Sequence, residues 1–128
     1  MKNLIWVLII LVLSGVCIYK EYRQPIVIET EVCPIPNEYI GEFDTTFYTH
    51  TGNKCSTGVY PKTNRTVAVD PKIIPYGTMI YVENYGFYIA EDCGLHVKNK
   101  RLDIFLDSKE ECIKQGRKTL KVWVLTNK

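Results

Sequence analysis

The sequence predicts a small all-β protein, a closed β-barrel with one short helix, on three observations. Its apolar runs are short, rich in β-branched residues and punctuated by Gly or Pro, so each has the length of a strand. Nine tyrosines and six prolines among 128 residues favour β structure over a helical bundle. One segment alone carries both a helix start and a helix stop. Ser108-x-x-Glu111 is a capping box, and Gly116 ends the helix about two turns later.

Taken in order, residues 1–24 stand apart from the rest. Leu4 to Tyr19 is an apolar run flanked by Lys2, Lys20 and Arg23. At ~1.5 Å per residue it reaches only ~24 Å, short for a span, yet a single-span signal anchor is preferred. Cleaved secretion comes second, because Leu13-Ser-Gly-Val-Cys17 makes a poor exit site. Either reading carries the following domain across the membrane. Residues 25–38 read as a tether bounded by Pro25, Pro34 and Pro36, and residues 39–128 as the domain.

Within the domain, Phe43 to Thr49 is the first strand and Thr66 to Val69 the next. Thr78 to Glu83 and Phe87 to Asp92 form a hairpin turning at Asn84-Tyr-Gly86. The strand at Arg101 puts Leu102, Ile104 and Leu106 on the core face and Arg101, Asp103, Phe105 and Asp107 on the other. Asp103 is therefore expected outside the packed core, framed by an aromatic ring. The helix after Asp107 is expected to bury Cys112 and Ile113, and Leu120 to Leu125 closes the chain.

Three aspartates end three of the apolar runs: Asp70, Asp92 and Asp103. Carboxylates brought together raise one another's pKa, which is one way to keep an acid protonated for chemistry. Asp70 has a second reading, as a cap on the Pro71 turn, and Asp107 reads as a helix cap. A net charge of +2, with bases and acids interleaved, is too small to argue for nucleic acid, and no nucleic-acid partner is expected. Cys33, Cys55, Cys93 and Cys112 in a small exported domain read as two disulfides with three available pairings. Their spacing does not suit zinc, and no cofactor is expected.

Thr57-Gly58, Thr66-Val-Ala-Val-Asp70-Pro, Ala90-Glu-Asp92-Cys-Gly94, Lys98 and Leu102-Asp103-Ile-Phe105 together resemble the 3D domain, a family named for three aspartates. The aspartates follow one another at intervals of 22 and 11 residues, as in that family. The resemblance implies a six-stranded double-psi β-barrel, shared with membrane-bound lytic transglycosylase A and the stationary-phase-survival muralytic proteins. It implies cleavage of the β-1,4 bond between N-acetylmuramic acid and N-acetylglucosamine in peptidoglycan, without water, to leave a 1,6-anhydro product. By motif position Asp103 would be the acid/base, supported by Asp92 and Asp70. Thr57, Gly58, Gly94, Lys98 and Phe105 would meet substrate, and a monomer held at the membrane by residues 4–19 is expected. The alternative is a barrel that binds cell-wall glycan without cleaving it.

Where the family carries Gly-Gly-Ala-Ile-Lys-Gly, this chain has Gly94-Leu-His-Val-Lys-Asn99, a bulkier loop beside Asp92. His96 and His50 read as exposed loop residues. Cys55 and Cys93 stand where the family has threonine, each beside a motif residue, which implies a Cys55–Cys93 bridge and leaves Cys33 for Cys112.

Overall fold

A computed structural model of the protein describes residues 35–126. These contain β1 (Glu38–Tyr48), β2 (Thr66–Ala68), β3 (Met79–Val82), β4 (Gly86–Asp92), β5 (Arg101–Phe105), α1 (Lys109–Gln115) and β6 (Lys118–Val124). The six strands close into a barrel in the order β1-β5-β2-β4-β3-β6, with β6 returning to β1. Two neighbouring pairs, β1–β5 and β2–β4, run parallel, and the other contacts are antiparallel. The expected barrel with one short helix is the observed fold. The apolar segment 4–19 and the tether up to residue 34 lie outside the described residues. No helix among the described residues is long and apolar enough to cross a membrane.

Alternation decides which side chains enter the barrel. Phe43, Val67, Ile80, Tyr88, Leu102 and Val122 point inward and are buried. Burial of such side chains contributes roughly 1.5–3 kcal/mol each, more than the hydrogen bonds that join the strands. In β4, Tyr88 and Ala90 share the inner face, whereas Asp92, beyond a register shift in the β2–β4 pairing, is not buried with them. The β3–β4 hairpin turns where expected: Tyr85 N–H donates to the Val82 carbonyl, and Asn84 and Gly86 take positive φ of 64° and 100°. β1 is longer than expected, because residues from Glu38 onward pair with β6 across a register shift at Tyr39–Gly41.

The helix differs from expectation in its buried side. Ser108 caps it by accepting from Glu111 N–H, and Gly116 N–H donates to the Cys112 carbonyl at a φ of 64°. Yet Ile113 is 71% exposed and no residue of α1 is buried. Polar bonds moor the helix instead of an apolar stripe. Tyr85 OH donates to Gln115 Oε1 at 2.7 Å, and Lys118 Nζ donates to both at 2.8 and 2.9 Å.

The expected Cys55–Cys93 bridge is not formed, and the expected Cys33–Cys112 pairing falls on a residue, Cys33, outside the described ones. Among the described residues Cys55, Cys93 and Cys112 are free thiols. Cys55 is buried in a tight turn, where Gly58 N–H returns to its carbonyl at 2.8 Å. Cys93 Sγ instead meets Ser56 Oγ at 3.1 Å.

Candidate active site

Strand register lays the site out as a transverse row. Thr46 of β1 pairs with Asp103 of β5, Asp103 with Ala68 of β2, and Ala68 with Asp92 of β4. Phe43 and Thr45 face the core, so Thr46 and Tyr48 face outward, on the side that carries Asp103. The site therefore lies on the outer wall of the barrel. One strand separates Asp103 from Asp92, which sets their backbones roughly 10 Å apart.

The three aspartates meet different surroundings. Asp70 Oδ1 accepts from Lys72 N–H at 3.1 Å and Oδ2 from Asn99 N–H at 2.9 Å. Its carbonyl accepts from Ile73 and Ile74 N–H, both at 2.9 Å. These amide bonds hold its carboxyl below the usual carboxylate range, helped by Lys98 and Lys72. Asp70 is thus the turn cap of its second reading, and it also ties the 94–99 loop to the barrel.

Asp92 is caged. Its Oδ1 accepts from Ser56 N–H at 3.0 Å, Ser56 Oγ at 3.1 Å and Cys93 N–H at 2.9 Å, while Oδ2 accepts from Tyr48 OH at 3.0 Å. Tyr48 is pushed to a higher pKa by burial and by the Asp92 charge, so it remains a donor.

Asp103 keeps one bond, from Thr46 Oγ1 to its Oδ1 at 3.0 Å. Among the described residues Oδ2 takes no hydrogen bond, and it is not sealed from solvent. Burial and the Asp92 charge raise the Asp103 carboxyl to about 6, against the opposing pull of Thr46. Of the three, it alone has an unengaged oxygen.

The expected substrate contacts divide. Thr57 and Gly58 are exposed, with Thr57 Oγ1 donating to the Glu91 carbonyl at 2.8 Å and Gly58 at a φ of 88°. Glu91 is itself held by Arg65 Nε at 3.1 Å and Thr66 Oγ1 at 2.7 Å. Lys98 is exposed, and Gly94 sits where a Cβ would come within 3.1 Å of Val97. Phe105 departs from expectation. It is fully buried under the edges of Tyr48 and His50, with ring centroids at 5.4 and 4.8 Å, so it supports the site without presenting a face to a ligand. His50 and His96 are exposed as expected, but His50 Nε2 lies 3.6 Å from Asp107, which does not cap the helix. Asn99 has a φ of 58°, a conformation Asn tolerates in place of the family's glycine. Sequence reasoning missed Thr46, Tyr48 and Ser56. Strand alternation puts the first two on one face, but nothing local says which strand lies beside them. No group of three or more His, Cys, Asp or Glu among the described residues is arranged to hold a metal ion.

Comparisons with known proteins fit this geometry. YabE of Bacillus subtilis, named as a cell wall shaping protein, is 38% identical over 99 residues, 70% of this chain and 24% of that protein. The cell wall-binding protein YocH of the same organism is 43% identical over 61 residues, 48% of this chain and 21% of its own. The chain thus spans about a quarter or less of these relatives. MltA of Escherichia coli, whose crystal structure is described as a unique lytic transglycosylase fold, is 25% identical with a TM-score of 0.52, over 59% of this chain and 28% of MltA. MltA with bound chitohexaose gives 25% identity and a TM-score of 0.51 over the same shares. The 3D domain family matches residues 65–126, the segment that holds all three aspartates.

Proposed function

We propose that the barrel is a peptidoglycan lytic transglycosylase with Asp103 as its single general acid/base. The observation that carries this reading is the unequal loading of the aspartates: Asp70 and Asp92 have both oxygens occupied, and Asp103 has one free. A carboxyl at about 6 is protonated in roughly a tenth of molecules at pH 7, against under a thousandth at 3.8. That difference suits a general acid.

In the first step Asp103 gives its proton to the glycosidic oxygen, and the C1–O4 bond breaks. In the second, the Asp103 carboxylate takes the proton of the muramic acid 6-hydroxyl as that oxygen bonds to C1. The 1,6-anhydro ring closes and the acid is restored. A hydrolase of the usual kind would need a second free carboxylate to act on water or on C1. The cage on Asp92 keeps Asp92 from serving as that group. The cell-wall names of YabE and YocH and the fold shared with MltA support this substrate class and a site of action outside the cytoplasmic membrane. We assign residues 4–19 to anchoring, 25–38 to the tether and 39–128 to the domain.

A second reading, glycan binding without cleavage, is favoured by the name of YocH. Digestion of purified peptidoglycan by the full chain and by Asp103→Asn, read by mass spectrometry, separates the two. Anhydromuropeptides from the wild type alone are expected. Retention on insoluble peptidoglycan by both, with no soluble product, favours the binder; reducing-end products would mean hydrolysis.

A further inference from the structure

β1 lies outside the segment matched by the family, yet it supplies a hydroxyl to each outward aspartate: Thr46 to Asp103 and Tyr48 to Asp92. We propose that Thr46 is a positioning residue that holds Asp103 Oδ1 as an acceptor and so confines the transferable proton to Oδ2. The proposal rests on the reading of Asp103 as the acid/base.

Thr46 Oγ1 has one hydrogen and two acceptors in reach, Asp103 Oδ1 at 3.0 Å and the Leu102 carbonyl at 3.4 Å. The shorter contact leads to a charge-bearing group and takes the hydrogen. Oδ1 is then an acceptor in every protonation state, and the proton can sit only on Oδ2, the oxygen without a partner among the described residues. If Thr46 donated to Leu102 instead, its oxygen would accept from Asp103, and the proton would be held on Oδ1, turned toward β1. The two arrangements have opposite signs. A hydroxyl that donates stabilises the carboxylate; one that accepts stabilises the acid. The titratable groups that feel the Asp103 charge are Asp92 of β4, Tyr48 of β1 and Cys112 of α1, and all remain in place when Thr46 is changed.

The test is Thr46→Val in the full chain, with Thr46→Ser as the rescue. Carboxyl titration of Asp103 by carbon-13 NMR is expected to move up by roughly half to one unit in the valine variant and to return with serine. In peptidoglycan digestion the limb that falls with rising pH follows the same shift, while kcat drops about tenfold, the scale of one lost charge-assisted hydrogen bond. A downward shift, or an unmoved titration with lowered activity, overturns the proposal. An upward shift in a wild type without lytic activity would uphold the hydrogen-bond assignment and overturn the catalytic reading instead.

Discussion

Asp70 and Asp103 are the same residue type on one small barrel, and their surroundings push them in opposite directions. Asp70 sits in a turn where backbone amides converge, so its charge is shared among fixed dipoles and its pKa falls. Asp103 stands mid-strand on the outer wall, where amides are already committed to the ladder and only a threonine hydroxyl reaches it. Burial, with the Asp92 charge nearby and only one donor to oppose it, raises its pKa to about 6. The turn fills both oxygens of its carboxylate with amide donors, and the strand face leaves one oxygen of its carboxylate free.

The largest test of that contrast is Asp103→Asn. Lysis should fall by at least about a hundredfold, the range expected for a lost general acid. Its stability should move the other way. A carboxyl with a raised folded pKa contributes stability below pH ~4 that is lost as pH rises through about 6. The asparagine variant should therefore match wild type at pH 4 and melt higher than wild type at pH 7. Asp70→Asn reverses the pattern. Its lowered carboxyl contributes stability above pH ~4 that disappears as pH falls through the folded value, so thermal melts should show a deficit at pH 7 that closes toward pH 3. An Asp70 variant as stable as wild type at pH 7 would break the comparison.

Smaller effects sharpen it. Asn99→Ala places a β-carbon at a φ of 58° and should cost roughly 1 kcal/mol by denaturant melts, whereas Asn99→Gly should be close to neutral. Leu95 is 90% exposed, so Leu95→Gly should leave stability nearly unchanged and report only on substrate access, as a lower KM. Ile113→Ser should be the smallest, within about half a kcal/mol, since the side chain is 71% exposed.

What was legible in the sequence was whatever depends on neighbours in the chain. Period-2 alternation places Leu102 and Ile104 inside and Asp103 outside, and the Ser108 cap and Gly116 stop delimit the helix. Motif spacing names all three aspartates. The division of labour among them was not legible, because it depends on groups distant in the chain. Thr46 and Tyr48 reach Asp103 and Asp92 only because β1 lies beside β5, a pairing across some fifty residues. Phe105 was misplaced for a related reason. Alternation correctly turned it outward, but Tyr48 and His50 come over from β1 and the loop after it to cover it. Ile113 failed differently: a helix of seven residues moored by Gln115 and Lys118 needs no apolar face. The pairing of Cys55 with Cys93 rested on each standing beside a motif residue, in two segments expected to meet. They do approach, but the contact runs through Ser56 to Cys93 while Cys55 turns inward.

The most direct test of the account is a single carbon-13 titration of the full chain with both aspartates assigned. Asp103 should titrate near 6 and Asp70 below 3.8, with the two curves well separated. An Asp103 curve lying at or below that of Asp70 would mean that the free oxygen carries no usable proton near neutrality, and the single-carboxyl mechanism would lose its acid.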